Sequence, residues 1–184
     1  MPTLVKETGA GLANANSYAD VADGDAYADN SLNAKSWQDA QANDKARALI
    51  MATRAVDNLF QWNGSKTTEA QALQWPRAYV EDPDASRQTP GLTFGAFNNY
   101  LDEAKVPSLI VQGTCHLAME LLKTDRFEEP SQKGIKSIDI DDALKIEFDG
   151  NSEQPAVVTD YVERMLGKYG TSVEGGANVR LERA

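Results

Sequence analysis

The sequence predicts a mainly α-helical domain: a small helical bundle with one β-hairpin and extended N- and C-terminal arms. Apolar residues recur at three- and four-residue intervals in long stretches, which is typical of helices that bury one face. Near residue 140 this spacing changes to strict alternation, which is typical of β-strands. The chain has 184 residues, a length that suits a single domain with one core.

We expect that domain to span 1–184, with an N-terminal arm over 1–19, a helical core over 20–168 that includes a hairpin over 134–149, and a C-terminal tail over 171–184. The arm contains ETGAGLANANSY, whose small polar residues predict an ordered arm or loop. Its GxG does not predict a nucleotide site, because no strand precedes it and no third glycine follows at the required spacing.

The first predicted helix is capped by Asp20, with Asp23 at its third position. Gly24 inside this helix costs about 1 kcal/mol relative to alanine, so the helix needs tertiary support. The aspartates between Asp20 and Asp29 lack the spacing of a calcium loop, and we interpret them as a solvated helix face.

A short helical turn that begins at Ser36 is expected to carry Trp37. The clearest helix follows, with Asn43 as its cap and a length of roughly 17 residues. Its predicted core face consists of Ala46, Leu49, Ile50, Thr53, Val56 and Phe60.

After a tight turn, Thr68 and Gln71 form a capping-box pattern that predicts a short helix ended by Pro76. Residues 81–105 lack periodic apolar positions, so we expect a long loop with a helical piece near Ala96–Glu103. Loops of this length in a compact domain usually serve binding.

A second strong helix is predicted from Pro107, in its first turn, to about Lys123. It is apolar on so many sides that it should lie at the centre of the domain. We interpret Cys115 as a buried, inert thiol and His116 as a packed or hydrogen-bonded residue.

Strict alternation in residues 138–140 and 144–148, with a turn at 141–143, predicts the hairpin. A lone hairpin is marginal in water, so its apolar face must cover the helices or contact a neighbouring subunit. That face consists of Ile138, Ile140, Leu144, Ile146 and Phe148.

Pro155 is predicted to start the last helix, which Gly167 or Gly170 ends. The inner side of this helix would carry Val157, Val158, Tyr161, Val162, Met165 and Leu166. The glycine-rich tail that follows ends in apolar and cationic residues. It is either a segment that becomes ordered on a partner or a frayed terminus.

The formal net charge is −10, from 28 acidic and 18 basic residues. This balance argues against a dedicated nucleic-acid-binding protein, whose affinity comes largely from cations.

Common catalytic, phosphate-binding and metal-binding motifs are absent from the sequence, so we expect no enzyme, no metal and no cofactor. A hydrolase that uses His116 is a weaker possibility. No secretory signal and no apolar run of roughly 20 residues is present, and we expect a soluble protein.

Four blocks follow one another along the chain. They are ETGAGLANANSY with Val21, Asp25 and Tyr27 behind it, ALIMATRAVDNLFQWNG with QALQWPRAYV, VPSLIVQGTCHLAMELL, and then the hairpin and final helix. Together they resemble the head–tail adaptor (connector) family of tailed bacteriophages, whose members are often labelled DnaT-like single-stranded-DNA-binding proteins. The glycine-alanine-asparagine arm combined with Trp-Pro-Arg is the most specific part of this resemblance.

The resemblance implies a structural virion protein of the neck, made in the host cytoplasm, that joins capsid to tail as a ring of about twelve copies below the portal. Its implied partners are further copies of itself, the portal protein and a downstream neck or tail protein. DNA would pass through the lumen without specific binding, and no membrane is involved. Segment 81–105 is longer than the usual link in such proteins. Related adaptors often dock on the portal through their C-terminal segment, which implies this role for Val179, Arg180, Leu181 and Arg183.

The alternative is an ssDNA-binding accessory protein of phage replication, as the label suggests. Such proteins combine a basic groove with aromatic residues that stack on bases. Trp37, Trp62 and Trp75 could stack on bases, or could equally pack in the core or between subunits. Few cations stand near them in the sequence, so the charge balance favours the adaptor.

Overall fold

The computed structural model describes residues 2–84, 100–124 and 157–173, together with the backbone of residues 137–140 and 144–147. Within these residues the fold is mainly α, as the sequence predicts. It has five helices and three two-stranded antiparallel sheets, of which the sequence predicts only the hairpin near residue 140. In chain order the elements are α1 (Val21–Asp29), α2 (Lys35–Gln38), α3 (Ala42–Leu59), β1 (Phe60–Trp62), β2 (Ser65–Lys66), β3 (Arg77–Ala78), α4 (Ser108–Lys123), β4 (Ser137–Ile140), β5 (Leu144–Glu147), α5 (Asp160–Leu166) and β6 (Gly170–Ser172).

Helix α4 lies at the centre of the bundle and packs against α1, α2, α3 and α5. Its residues Ile110, Leu117 and Ala118 are completely buried, and Leu49 and Val56 of α3 are equally inaccessible. The predictions of a core helix and of a central helix are therefore confirmed. Pro107 is the N-cap residue of α4 and stands immediately before the first turn.

The start of α1 follows the predicted capping box. The Asp23 N–H donates to Asp20 Oδ1 at 2.9 Å, and the Asp20 N–H donates to Asp23 Oδ2 at 2.8 Å. Gly24 is buried beneath Trp37 of α2, and an added Cβ would lie only 2.2 Å from Trp37 Cζ2. The glycine that weakens this helix in isolation therefore allows α1 and α2 to approach each other.

The helix starts at α3 and α5 differ from the predicted ones. Helix α3 begins at Ala42 after Gln41, so Asn43 lies inside the first turn and the prediction that it is the cap is wrong. Helix α5 begins at Asp160, because the Thr159 hydroxyl accepts the hydrogen bond of the Val162 N–H at 3.4 Å. The predicted start at Pro155 lies outside the described residues. Val157 and Val158 precede the helix, and Tyr161, which was predicted to face inward, is 55% exposed.

The predicted short helix after Thr68 is not formed. Gln71 does accept the Thr68 N–H at 3.0 Å, which is half of a capping box. The buried Gln71 amide group, however, donates to the carbonyl oxygens of Leu73 and Pro76 at 2.9 and 3.0 Å. These contacts organise an irregular segment, because the Gln71 side chain satisfies backbone groups that a helix would satisfy within itself.

Strand β6 lies in the part of the chain that was predicted to be tail. Phe60 of β1 pairs with Ser172, and Trp62 pairs with Gly170. The Val173 N–H then donates to the Leu59 carbonyl at 2.7 Å. Residues 171 and 172 therefore belong to the folded domain, and a tail can begin only after Val173.

The hairpin prediction is confirmed at the level of the backbone. Strands β4 and β5 are antiparallel, and Ile138 pairs with Ile146 while Ile140 pairs with Leu144. This is the register that the alternation predicts, since partners on one face of a hairpin share the same parity. Phe148 and the turn at 141–143 lie outside the described residues.

The loop over 81–105 is described at its two ends. Glu81 and Tyr100 form an isolated antiparallel bridge, and the Leu101 N–H donates to the Val80 carbonyl at 2.8 Å. Residues 100–103 are not helical, so the helical piece predicted at Ala96–Glu103 is wrong over its last four residues. Its first part lies outside the described residues.

Candidate functional site

The N-terminal arm is ordered around the buried carboxylate of Glu7, which is 1% exposed. Glu7 Oε1 accepts the N–H groups of Gly9 and Gly11 at 2.9 and 3.0 Å, and Oε2 accepts that of Leu12 at 2.8 Å. Gly9 and Gly11 both have positive φ, at 99° and 68°, a region that favours glycine. The glycine-rich block thus folds into a loop around the Glu7 carboxylate. The N–H groups of Gly9 and Gly11 donate to this carboxylate and are therefore not free to bind a phosphate.

Arg77 of the Trp-Pro-Arg block is an internal cross-link. Its Nε and Nη2 donate to the carbonyl oxygens of Asn63 and Gly64, both at 2.7 Å, and its Nη1 donates to the Gln74 carbonyl at 3.2 Å. Burial lowers the pKa of this guanidinium from its ordinary value. Because its donors are already bound to the backbone, Arg77 serves to hold the turn between β1 and β2 and not to bind phosphate.

A second buried polar group lies beneath this block. The Tyr18 hydroxyl donates to the Asp57 carboxylate and accepts the Trp75 N–H at 3.1 Å. Asp57 Oδ2 accepts the Gln74 N–H at 3.1 Å. Burial raises the pKa of Asp57 to about 6, and burial together with the nearby Asp57 raises the pKa of Tyr18 well above its ordinary value. These residues link the N-terminal arm, α3 and the Trp-Pro-Arg block.

The tryptophans pack in the core. Trp37, Trp62 and Trp75 are 1%, 7% and 0% exposed. Trp62 and Trp75 meet edge to face, with ring centroids 5.8 Å apart, and Trp37 Nε1 donates to Asp25 at 2.8 Å. The core-packing interpretation is confirmed, and in this conformation none of the three indole rings is available to stack on a base.

Cys115 and His116 occupy adjacent positions on α4. Cys115 is buried, which raises its pKa to about 12 and keeps the thiol protonated. His116 Nδ1 lies 3.2 Å from the Tyr27 hydroxyl, and its ring lies 4.7 Å from that of Tyr161. Both residues are therefore placed as the sequence predicts, the first as a buried thiol and the second as a packed, hydrogen-bonded histidine.

An exposed aromatic pair stands where the 81–105 loop leaves and rejoins the core. Tyr79 is 72% exposed and Tyr100 is 47% exposed, and their rings meet edge to face at 6.0 Å. Tyr79 has a φ of 61°, a left-handed conformation that is uncommon for a bulky residue. Large exposed aromatic groups of this kind are typical of interaction surfaces.

An open groove of about 1090 Å³ lies between α1, the first half of α4 and the segment before α4. Leu101, Val106 and Val111 provide apolar lining, and Tyr169 lines it as well. The polar and charged lining includes Lys6, Asp23, Asp82, Asp84, Asp102, Lys105 and Gln112. Sequence reasoning missed this groove, because its lining comes from five separate segments of the chain.

The structure describes only some of the residues that were predicted to bind the portal or a neighbouring subunit. Val179, Arg180, Leu181 and Arg183 lie outside the described residues, so their role stays a prediction. Ile138, Ile140, Leu144 and Ile146 are placed by their backbone alone, which leaves the contact between subunits a prediction too. Among the described residues, no group of three histidine, cysteine, aspartate or glutamate side chains could hold a metal ion, and no helix is long and apolar enough to cross a membrane.

The described residues define a small, mainly α-helical domain. The glycine-rich N-terminal block and the Trp-Pro-Arg block both contribute polar and aromatic contacts inside this domain. The chain belongs to the family described as "Putative DnaT-like ssDNA binding protein", whose profile matches residues 2–184. The chain matches none of the curated proteins and none of the solved structures with which it was compared.

Proposed function

We propose that this chain is a structural subunit of a tailed-phage virion, a head-to-tail adaptor of the neck. In this role about twelve copies form a ring below the portal, join the capsid to the tail without catalysis, and let DNA pass. The observation that carries the proposal is the internal use of Arg77 and the tryptophans in a chain with a net charge of −10. Among the described residues, Arg77 and the three tryptophans are occupied by internal contacts and cannot serve a nucleic-acid site, and an acidic surface repels the duplex.

The arrangement of the chain also suits contacts between subunits. Strand β6 pairs with β1, and the Val173 N–H donates to the Leu59 carbonyl, so the position of Val173 on the domain is fixed. The β4–β5 hairpin provides a second element that can reach a neighbour. Head-to-tail rings use two different surfaces of each subunit, and we assign the portal contact to the tail and the contact between subunits to the hairpin.

The test is co-sedimentation with purified portal rings from the same genome. The full-length chain should pellet stoichiometrically, and a chain ending at Val173 should not. A cut at Gly170 is unsuitable because it removes most of β6. The matched variant Arg180→Glu/Arg183→Glu keeps the length and should also lose binding. If the full-length chain does not pellet, portal docking as proposed is wrong.

The family description favours a second candidate, an ssDNA-binding accessory protein of phage replication. Among the described residues, Tyr79 and Tyr100 form an exposed aromatic pair that could stack on bases. Glu81, Asp82 and Asp84 follow Tyr79 closely in the chain, and carboxylates oppose the approach of a phosphate backbone. We therefore place this candidate second.

Fluorescence anisotropy with a labelled oligothymidylate separates the two candidates. The adaptor proposal expects no binding at low salt. Binding that weakens steeply with added salt would refute passage of DNA without binding and would support the second candidate. Loss of that binding in Tyr79→Ala/Tyr100→Ala, but not in the control Tyr161→Ala, would locate the strand on the aromatic pair.

A further inference from the structure

The groove beside α4 has the chemistry of a peptide-binding site. Its apolar lining includes Leu101, Val106 and Val111, and its volume of about 1090 Å³ exceeds what a single side chain fills. An extended segment with small aliphatic side chains could lie in it and bury apolar surface on both sides.

The charged residues that line the groove indicate what kind of segment could bind there. The lining carries four carboxylates and two ammonium groups. Both ammonium groups are already paired: Lys6 lies 2.5 Å from Asp23, and Lys105 lies 3.0 Å from Asp102. Asp82 and Asp84 line the groove together with Tyr169. Lys168 Nζ lies 3.7 Å from Asp84 Oδ2, and with this lysine counted the four carboxylates still exceed the three ammonium groups. Arginine next to aliphatic residues complements this surface, since a guanidinium pairs well with carboxylates.

The chain itself contains such a segment. Residues 179–183 read Val-Arg-Leu-Glu-Arg, in which aliphatic and charged residues alternate. Tyr169 lines the groove, and the described chain continues from it through β6 to Val173. The six residue-to-residue steps from Val173 to Val179 span up to about 20 Å when extended. The segment can therefore reach the groove of its own subunit, and the short tether gives it a high effective concentration there.

We propose that residues 179–183 bind in the groove of their own subunit while the protein is free. The docking itself is independent of the proposed function. In a head–tail adaptor, however, the same residues would have to leave the groove before they could bind the portal. The free subunit would thus keep its portal-binding segment covered.

Disulfide trapping tests the docking in the free, full-length protein. Gln112 lines the groove and is exposed, so Gln112→Cys is combined with Leu181→Cys in a Cys115→Ala background. Oxidation should give a monomer with an intramolecular disulfide, detected by mass spectrometry and by gel mobility without reductant. The control pair is Arg54→Cys with Leu181→Cys, because Arg54 is exposed and does not line the groove. Disulfide-linked dimers, or a yield no higher than in the control, would overturn the proposal.

Binding of a peptide with the sequence of residues 174–184 provides a second measurement. A chain ending at Val173 should bind it, and the full-length chain should bind it at least tenfold more weakly because its own segment competes. Asp82→Asn/Asp84→Asn should weaken binding by about fivefold, as expected for exposed ion pairs. Asp39→Asn/Glu69→Gln removes the same charge away from the groove and should leave binding unchanged. Equal affinity of the truncated and full-length chains would refute intramolecular docking. Failure of portal co-sedimentation alone would refute the proposed function and leave the docking intact.

Discussion

Replacement of Gly24 by alanine has two opposing effects on stability: it raises the helix propensity of α1 and it disturbs the packing of α1 against α2. In an exposed helix this change stabilises by about 1 kcal/mol, because alanine restricts the unfolded chain. In α1, however, the new Cβ would lie 2.2 Å from Trp37 Cζ2 and 2.5 Å from Cη2. Ordinary contacts between carbon atoms lie near 3.5–4.0 Å. The distance of 2.2 Å is shorter than an ordinary carbon–carbon contact by more than about 1 Å. Either the indole ring or one of the two helices must therefore move by about that distance.

The packing cost should exceed the gain in propensity. Forcing extra methyl groups into a well-packed core costs about 1–3 kcal/mol, and a shift of the indole also breaks the 2.8 Å bond from Trp37 Nε1 to Asp25. We expect a net destabilisation of about 2 kcal/mol, which corresponds to a fall in Tm of roughly 4–8 °C for a domain of this size.

Urea unfolding followed by far-UV circular dichroism measures this effect. Gly113→Ala in α4 is the matched control, because its Cβ would meet the end of the Leu166 side chain at 3.2 Å, 1 Å farther than the contact of Gly24 with Trp37. That variant should stay within about 1 kcal/mol of the original protein. If Gly24→Ala were as stable as the original protein or more stable, the close approach of α1 and α2 would not be the reason for glycine at this position.

Three further predictions concern the buried polar groups. Arg77→Lys should lower the free energy of unfolding by about 2–4 kcal/mol in urea titrations, because a single ammonium cannot reach the carbonyl oxygens that the guanidinium joins; an unchanged midpoint would contradict this role. Glu7→Gln should destabilise by about 1–3 kcal/mol and increase amide hydrogen exchange in residues 9–12, because an amide group would face backbone donors; unaltered exchange would refute the loop's dependence on the carboxylate. Burial raises the pKa of Asp57 from 3.8 to about 6. Between these pH values the folded state therefore binds more protons than the unfolded state. The contribution of Asp57 to the free energy of unfolding thus falls as the pH rises from about 4 to about 6. Asp57→Asn should therefore gain stability relative to the original protein over that interval, and a difference independent of pH would refute the assignment.

Long helices with strong periodic patterns were predictable from the sequence, and so was the hairpin. The α1 capping box was predictable too, because Asp20 and Asp23 act on each other within one turn. The prediction of a helix after Thr68 was wrong because a residue that fits a local pattern also makes contacts that the pattern does not show. Gln71 matches a capping box, but its amide binds the carbonyl of Pro76, and no pattern near Gln71 indicates this.

The strands β1, β2, β3 and β6 were not predictable for a different reason. Each has two or three residues, which is too short for an alternating pattern to be recognised. The groove was likewise hidden, since charged residues such as Lys6 and Asp84 come together only after folding. The inward residues Ala46, Leu49, Thr53 and Val56 of α3, by contrast, follow from their spacing. Ile50, which was expected among them, is only partly buried, and Phe60 belongs to β1.

The β1–β6 pairing has a consequence for how the protein is made. Phe60 emerges from the ribosome long before its partner Ser172, and pairings between distant residues close late because of the entropy of the intervening loop. The local helices can form during synthesis, but β1 stays without its partner until the chain has been made through Ser172. Chains that are released early therefore lack this closure and expose a strand edge, a feature by which quality control can distinguish them from complete subunits.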